Sequence, residues 1–328
     1  MEIISFNSYK GGSCRTTTCF NTIPFLAKKL GASSQQPIIV FDCDLDSMGL
    51  TNLLFPRRRD EAIPEYSSRN LFCDENINEI EAIENGVLDE PYFRKYEKVG
   101  AKFGLPDDGS VLFLGVNKNE ATISDEQYDS FKENPPIKRL ITALKRVDEN
   151  FRPAALVFDC ASGVQMTTVA ILSVVEKIVM CMRPTSQARE GTLMYLKDKL
   201  PSVLSRSYVK NRKVYLLLTS VPLINVSENE PNREEAIANL KRIRRNALDS
   251  IEIDLVEQIH GMRNKGIINY ELIDKFADIE AEVIGIPEVE RFKWEECLLY
   301  KEENLFTDQE KLLKNRYAEL ASLLAPEK

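Results

Sequence analysis

The sequence predicts an α/β fold with a doubly wound, mostly parallel sheet and helices on both faces of the sheet. Continuous apolar runs recur without polar alternation, which is typical of parallel strands covered on both faces. Helical patterns separate these runs, and alternation of strands and helices is typical of doubly wound sheets. After a first apolar run at residues 3–6, the predicted strands are 37–43, 111–116, 154–160, 177–182, 214–220 and 282–286. The predicted helices include 137–150, 164–175, 188–200 and 233–248.

Two stretches fall outside this alternation. Residues 55–110 contain three consecutive arginines at 57–59, several prolines and mixed charge, and they predict a partly helical insertion over the edge of the site. Residues 307–324 carry apolar side chains at helical spacing and both signs of charge. A membrane-targeting helix would have a strongly basic polar face, so a packing helix is favoured. The predicted organisation is a single domain over residues 1–328 that includes both stretches.

Composition disfavours several classes of chemistry. The 328 residues include one histidine, His260, which argues against histidine-based triads and histidine-rich metal sites. The seven cysteines contain no C-x-x-C pair, which argues against a disulfide framework or zinc ribbon and favours a reducing cytoplasm. No apolar run approaches the ~20 residues of a membrane-spanning helix, so no membrane association is expected. The net charge of −8 disfavours indiscriminate nucleic-acid binding.

The stretch at residues 7–18 predicts an anion site. It joins an apolar run to a helical pattern, and a strand, a glycine turn and a helix N-terminus together point backbone N–H groups at a ligand. Gly11 and Gly12 allow the backbone to approach phosphate. Lys10 and Arg15 supply positive charge, as the ligand requires. The other predicted phosphate-site residues are Ser13, Cys14, Thr16 and Thr17, of which Thr16 stands where a magnesium ligand is needed.

The loop departs from the standard phosphate-loop pattern G-x-x-x-x-G-K-[ST]. Tyr9, Cys14 and Arg15 stand at the glycine and lysine positions of that pattern. The loop matches instead K-G-G-x-x-[KR]-[ST]-[ST], with a lysine directly before the glycine pair. This variant resembles the ParA/MinD family of ATPases, which have a deviant Walker A loop and the P-loop NTPase fold of the SIMIBI class. The form Y-K-G-G-x-x-R-[ST] is similar to one branch of that family.

The resemblance implies a function and a quaternary state. ATP and Mg²⁺ are the implied cofactors, and slow, partner-stimulated hydrolysis in a partitioning or positioning system is the implied activity. In the family, the lysine at the position of Lys10 reaches the partner's phosphates, which implies an ATP-dependent homodimer and a protein activator or effector. Arg15 would clamp phosphate oxygens with its planar guanidinium, whereas a lysine in its place would act as a point charge. Lys10 and Arg15 are both expected to act in catalysis. Cys14 replaces a glycine, so weak turnover is expected.

Two groups of carboxylates are expected near the phosphates. The pattern D-x-D-x-D-x-x-G at residues 42–49 resembles the family's switch I, and strand alternation points its aspartates to one side while the strand lasts. Asp46 would position or activate the attacking water, although the branch commonly carries glutamate there, which leaves its role open. Asp44 would be a partner of magnesium. Asp159 ends a Walker-B-type apolar strand and would bind magnesium through water, so that Thr16, Asp44 and Asp159 form the predicted metal set.

The adenine site is expected in two loops at strand ends. The residues that correspond to the family's base contacts are Thr219, Pro222, Ile286 and Pro287. Apolar walls with a few backbone donors suit a purine, and only the resemblance favours adenine over guanine. Each segment taken alone is equally typical of an ordinary turn that contains proline. Gly163 would let the loop after the Walker-B-type strand sense the γ-phosphate.

Other functions remain open. A non-hydrolysing, nucleotide-gated scaffold or adaptor is supported by the two loop substitutions and opposed by the carboxylates. An iron–sulfur reductase of related fold would need paired cysteines, which neither Cys73 nor Cys297 provides. Residues 241–245 could bind non-specific DNA, because residues 205–246 hold nine lysines and arginines against four glutamates. A solvated helix face is nevertheless the favoured interpretation of this basic segment.

Overall fold

The strands and helices are those of a computed structural model, which describes residues 1–55, 68–73, 97–116, 136–183, 185–204, 209, 212–222, 234, 269–272, 286–288, 298–301 and 308–326. The strands are β1 Glu2–Asn7, β2 Ile38–Cys43, β3 Glu97–Lys98, β4 Val111–Leu114, β5 Ala155–Cys160, β6 Lys177–Met182, β7 Lys213–Leu218, β8 Val221–Pro222, β9 Asn269–Leu272 and β10 Pro287–Glu288. The helices are α1 Arg15–Leu30, α2 Gly49–Leu54, α3 Asn70–Cys73, α4 Ile137–Phe151, α5 Met166–Leu172, α6 Ser186–Met194, α7 Leu200–Leu204 and α8 Asp308–Leu324. A π-helical segment, Tyr195–Lys199, joins α6 to α7.

Eight of the described strands form one sheet in the order β3-β4-β2-β5-β1-β6-β7-β9. Every neighbouring pair in this sheet is parallel except β3 and β4, which are antiparallel. The predicted doubly wound, mostly parallel sheet is therefore confirmed. The central strand β1 lies between β5 and β6. The chain passes from β1 to β2 on one side of it, and from β5 to β6 on the other side, so the strand order reverses at β1. In sheets of this kind, ligands bind beyond the carboxyl ends of the strands at such a switch point.

Helices cover both faces of the sheet because strand side chains alternate. Phe41 and Phe158 stack with ring centroids 4.7 Å apart on the face covered by α4 and α5. Their neighbours Val40 and Val157 point to the opposite face, where α1 and α8 pack. Both faces of the central strands are therefore buried, which explains their continuous apolar sequences.

The observed bounds differ from the predicted ones mainly at strand ends. The strand at 177–182 is found as predicted, whereas the strand predicted at 214–220 is found at Lys213–Leu218. It ends early because Ser220 has a left-handed backbone with φ 52°. The helix predicted at 188–200 begins at Ser186 and becomes π-helical at Tyr195. The strand at 282–286 and the helix at 233–248 lie almost wholly outside the described residues.

The two stretches outside the alternation are described in part. In the stretch at 55–110, β3 adds an antiparallel edge strand, and Phe103 packs on Phe20 of α1 with ring centroids 5.5 Å apart. The C-terminal part of this stretch, residues 97–110, therefore adds a strand to the edge of the sheet. The C-terminal helix α8 buries one apolar stripe, which includes Tyr317 and Leu320, against the same face of the sheet as α1. Among the described helices, none combines the length and apolar character that crossing a bilayer requires.

Candidate functional site

The loop between β1 and α1 contains two residues with left-handed backbone. Gly12 has φ 73° and Cys14 has φ 53°, and α1 starts at the next residue, Arg15. Glycine adopts this conformation readily, whereas a non-glycine residue there stores ~1–3 kcal/mol of strain. No side chain caps the N-terminus of α1, and its first turn holds no acidic residue. The arrangement can therefore bind an anion such as phosphate through backbone N–H groups.

Two residues at the end of β7 hold this loop in place. Thr219 is fully buried, and its hydroxyl oxygen lies 2.7 Å from the carbonyl oxygen of Ser13 and 3.2 Å from that of Met182. The Oγ of Ser220 lies 2.9 Å from the Sγ of Cys14. Both contacts to the loop join residues 206 positions apart, so no local pattern in the sequence indicates them. Sequence reasoning gave Thr219 a base contact, which stays a prediction, and did not foresee the contacts that Thr219 and Ser220 make with this loop.

The guanidinium of Arg15 is buried between two carboxylates. Its Nε donates to Asp159 Oδ1 at 2.8 Å, and its Nη2 donates to Asp44 Oδ2 at 2.6 Å. Nη2 also donates to Thr16 Oγ1 at 3.3 Å. Arg15 is 6% exposed and Asp159 is fully buried, so these are buried ion pairs. The residue predicted to clamp phosphate thus contacts all three residues predicted to hold the metal, because buried carboxylates require a positive partner.

The charges in this cluster shift the pKa values of its members. Burial alone would lower the pKa of Arg15, but the carboxylates of Asp159 and Asp44 raise it above the ordinary arginine value. Burial raises the pKa of Asp159, and the positive charge of Arg15 opposes that rise. Burial and then the charge of Asp159 raise the pKa of Asp42 to about 7, while hydrogen bonds from Thr51 act in the opposite direction. These carboxylates therefore favour the presence of a cation.

The first two carboxylates of the D-x-D-x-D pattern have separate partners. Asp42 accepts hydrogen bonds from the N–H and the hydroxyl of Thr51, both at 2.7 Å, and so fixes α2 to the sheet. Asp44 binds the buried guanidinium, and its Oδ1 accepts the N–H of Ser47 at 3.2 Å. Since β2 ends at Cys43, strand alternation does not govern the later aspartates. Within the described residues, no group of three or more His, Cys, Asp or Glu side chains is placed to hold a metal ion.

The loop after β5 contacts both the β1–α1 loop and the loop after β2. The N–H of Gly163, which has φ 81°, donates to the carbonyl oxygen of Ser8 at 2.9 Å. Gln165 Nε2 donates to Asp46 Oδ2 at 3.3 Å, and Asp46 is exposed. Sequence reasoning missed Gln165, whose position two residues beyond Gly163 was the available signal. The two loops predicted to act as switches therefore touch each other at Asp46.

Lys10 is exposed, and within the described part of the chain its ammonium group has no ion-pair partner. The preceding Tyr9 packs tightly against Gly191 of α6. A Cβ at that glycine would lie only 2.6 Å from the tyrosine ring. The Tyr9 ring centroid also lies 6.0 Å from that of Tyr195, the first residue of the π-helical segment. Tyr9 thus anchors the start of the loop on α6, while the charge of Lys10 remains at the surface.

The two loops predicted to contact the base meet in the structure. β8 and β10, which contain Pro222 and Pro287, pair in parallel. Ile286 is buried, and its N–H donates to the carbonyl oxygen of Leu218 at 2.8 Å. Together with Thr219, these residues form adjacent segments beside the β1–α1 loop. Their contact with a base stays a prediction.

The oxygen atoms of Thr16, Asp44 and Asp159 suit Mg²⁺ in their chemistry. Carboxylate and hydroxyl oxygens are the ligands that this hard cation prefers. Asp159 Oδ2 is buried and has no hydrogen-bond partner among the described residues, so it can accept a further positive group. The Arg15 guanidinium nevertheless contacts the same three residues. A metal ion held by these residues would therefore need oxygen atoms that Arg15 already contacts.

Comparison with known proteins gives matches among solved structures alone. No family model and no curated protein matches the chain. An ATP complex of a Cyanothece McdA variant has a TM-score of 0.56 and 13% identity, over 100% of this chain and 98% of that one. A chain of the MinC:MinD cell division protein complex of Aquifex aeolicus has a TM-score of 0.52 and 15% identity, over 100% and 97%. The structure of pnob8 ParA has a TM-score of 0.55 and 14% identity, over 98% and 97%.

These matches identify the fold of the chain. The chain has the fold of the McdA, MinD and ParA structures, the P-loop NTPase fold, which confirms the resemblance at the level of fold. A cobyrinic acid a,c-diamide synthase of Mycobacterium smegmatis is also similar, with a TM-score of 0.52 and 14% identity over 99% of this chain and 94% of that one. The same fold therefore serves different reactions. The activity of this chain has to be argued from its own residues.

Proposed function

We propose that this chain is an ATP-binding switch. Two copies close over ATP, hydrolyse it slowly under the stimulation of a protein partner, and act in a partitioning or positioning system in the cytoplasm. The observation that carries this proposal is the loop from Lys10 to Thr16 at the carboxyl end of the central strand. It combines a left-handed turn, an uncapped helix N-terminus and an exposed lysine directly before two glycines. A triphosphate is the ligand that such a loop suits best.

The homodimer is supported by the state of Lys10. A lysine that served only the nucleotide of its own chain would be expected to turn inward over the loop. Lys10 is instead exposed, with its backbone position fixed by the packing of Tyr9 on Gly191. A second copy brought up to this face would receive the charge of Lys10 on its own nucleotide. Nucleotide would then stabilise the dimer by mass action.

Slow hydrolysis is supported by the positions of Asp46 and Arg15. Asp46 is exposed in the loop after β2 and accepts a hydrogen bond from Gln165, so it is proposed to orient a water molecule for attack on the terminal phosphate. Arg15 is bound to Asp44 and Asp159, and it must leave at least part of this ion-pair network before it can contact the phosphates. Breaking a buried pair costs about 3–5 kcal/mol unless another partner replaces it. This cost slows any step that needs the released arginine.

Mg²⁺ is proposed as the second cofactor, held by Thr16, Asp44 and Asp159. When bound, it would neutralise the charge that develops on the transferred phosphoryl group. The protein's own contribution is to hold these three oxygen donors at the first turn of α1 and at the ends of β2 and β5. The purine is proposed to lie along the paired segments of β8 and β10. A contribution of residues 241–245 to DNA binding is a separate proposal, because these residues lie outside the described ones.

A non-hydrolysing scaffold is the second candidate function. The observation that favours it is the double ion pair of Arg15, at 2.6 Å and 2.8 Å, which removes from the loop a positive charge expected to act on phosphate. In that case ATP would still drive dimerisation, and the nucleotide would remain intact. The two functions therefore differ in the fate of ATP after the dimer has formed.

Single-turnover hydrolysis, with the molecular mass followed in parallel by light scattering, tests the proposal. With excess protein, ATP and Mg²⁺, the wild type is expected to become a dimer and then to release phosphate slowly. Lys10→Ala is expected to remain a monomer, and Lys29→Ala, which changes an exposed lysine at the far end of α1, is expected to behave as wild type. A wild type that stays monomeric with ATP overturns the switch. Dimerisation without phosphate release selects the scaffold.

A further inference from the structure

Arg15 contacts the same oxygen-bearing residues that the proposed function assigns to the metal. We infer that Arg15 and a divalent cation are alternative occupants of one site, so that the protein without nucleotide excludes the metal. The metal enters only when phosphate has drawn the guanidinium away. This inference rests on the proposed function for the second step, whereas the first step concerns the free protein alone.

Arg15 fills the place that a metal ion would need. The guanidinium reaches Asp159 Oδ1 at 2.8 Å, Asp44 Oδ2 at 2.6 Å and Thr16 Oγ1 at 3.3 Å. A metal ion bound to these residues would lie within a few ångströms of the guanidinium carbon. A planar group with fixed hydrogen-bond directions and a small spherical ion cannot share that space. The two cations must therefore exchange.

The positive charge of Arg15 also opposes the binding of a metal ion. Arg15 and Asp44 are nearly buried and Asp159 is fully buried, so their interactions are only weakly screened by solvent. With Arg15 in place, an added divalent cation meets a like charge at close range. Without Arg15, two buried carboxylates have no positive partner, which is strongly unfavourable. In the absence of another anion, the arginine therefore stays and the metal is repelled.

A bound triphosphate would allow Arg15 and the metal to exchange without leaving a charge unpaired. A triphosphate at the loop offers Arg15 new oxygen acceptors, and a guanidinium binds phosphate as well as it binds carboxylate. The carboxylates that it leaves, including the otherwise unpartnered Asp159 Oδ2, are then open to the metal. Every charge keeps a partner throughout. Arg15 therefore contacts the carboxylates when nucleotide and metal are absent, and it contacts phosphate when both are bound.

Binding of Mn²⁺ to the nucleotide-free protein, measured by electron paramagnetic resonance, tests the inference. Wild type is expected to bind Mn²⁺ no better than Asp159→Asn. Arg15→Gln, which removes the charge and keeps a polar side chain, is expected to lower the Mn²⁺ dissociation constant by about tenfold or more, as removal of a close like charge should. Adding Asp159→Asn to Arg15→Gln is expected to abolish the gain. Circular dichroism checks that each variant is folded.

Two results would overturn the inference. One is an unchanged Mn²⁺ affinity in a folded Arg15→Gln variant. The other is a rise in the Tm of the nucleotide-free wild type when Mn²⁺ is added, provided that the Asp159→Asn variant does not show this rise. This second test needs no Arg15 variant. Neither measurement contains ATP, so a failure here leaves the proposed dimerisation unaffected. Conversely, a protein that never binds ATP can still show the exclusion of metal by Arg15.

Discussion

Cys14 and Ser220 are joined side chain to side chain, with Sγ and Oγ 2.9 Å apart, and both have a left-handed backbone, with φ 53° and φ 52°. One residue ends the β1–α1 loop, which is proposed to bind phosphate, and the other follows β7. A non-glycine residue with this backbone is uncommon, and two in contact indicate that the surrounding structure holds them there. The pair, together with the buried Thr219, ties the loop to the side of the sheet where the base is proposed to bind.

Substitutions at Ser220 separate the hydrogen bond from the backbone strain. Ser220→Ala removes the bond and keeps a strained backbone, so the free energy of unfolding should fall by about 1 kcal/mol. Ser220→Gly removes the same bond but relieves the left-handed strain, so its stability should stay closer to wild type. Urea denaturation measures both variants. A glycine variant less stable than the alanine variant would contradict this account of the turn.

Gly191 is required because the Tyr9 ring occupies the space of a side chain. In Gly191→Ala, the new Cβ would lie 2.6 Å from the ring, so the loop start should shift and stability should fall by about 1–3 kcal/mol. ATP-dependent dimerisation should weaken as well, because Lys10 follows Tyr9 directly. Thermal unfolding and light scattering measure the two effects. The matched control is the double variant Tyr9→Ala with Gly191→Ala, in which the alanine at 191 should cost much less than it does alone.

Gln165 is expected to position Asp46 for hydrolysis. Gln165→Ala removes the donor that lies 3.3 Å from Asp46 Oδ2, so the single-turnover rate should fall by about tenfold or less, since the carboxylate itself remains. Asp46→Ala should lower the rate further. Combining the two should add little to Asp46→Ala alone, because both act through one carboxylate. Fully additive losses, or an unchanged rate in Gln165→Ala with dimerisation intact, would refute this role.

The fold and the loop could be predicted because their signals are local. Buried parallel strands give continuous apolar runs, and the loop is a contiguous set of residues before a helix. The short strand β9, Asn269–Leu272, was missed because its polar residues break any apolar run. The end of the strand predicted at 214–220 was misplaced because the left-handed turn at Ser220 has no glycine to mark it.

The partners within the site could not be predicted because they come from distant parts of the chain. Arg15 carries the expected charge, but its ion pairs reach residues 29 and 144 positions away. Spacing in a sequence shows which charges lie at strand ends, and it does not show which of them pair. Where no ligand competes, a buried arginine takes the nearest carboxylates. The preference of Arg15 for Asp44 and Asp159 over the loop is therefore a property of the tertiary structure.

A crystal structure with ATP and Mg²⁺ tests the central claim most directly. The account predicts two chains face to face, with the triphosphate at the loop around Gly12 and Lys10 of each chain directed at the nucleotide of the other. Arg15 should then contact phosphate, and Asp44 and Asp159 should face the metal. A nucleotide bound elsewhere, or a loop closed to it with the Arg15 ion pairs intact, would contradict the account.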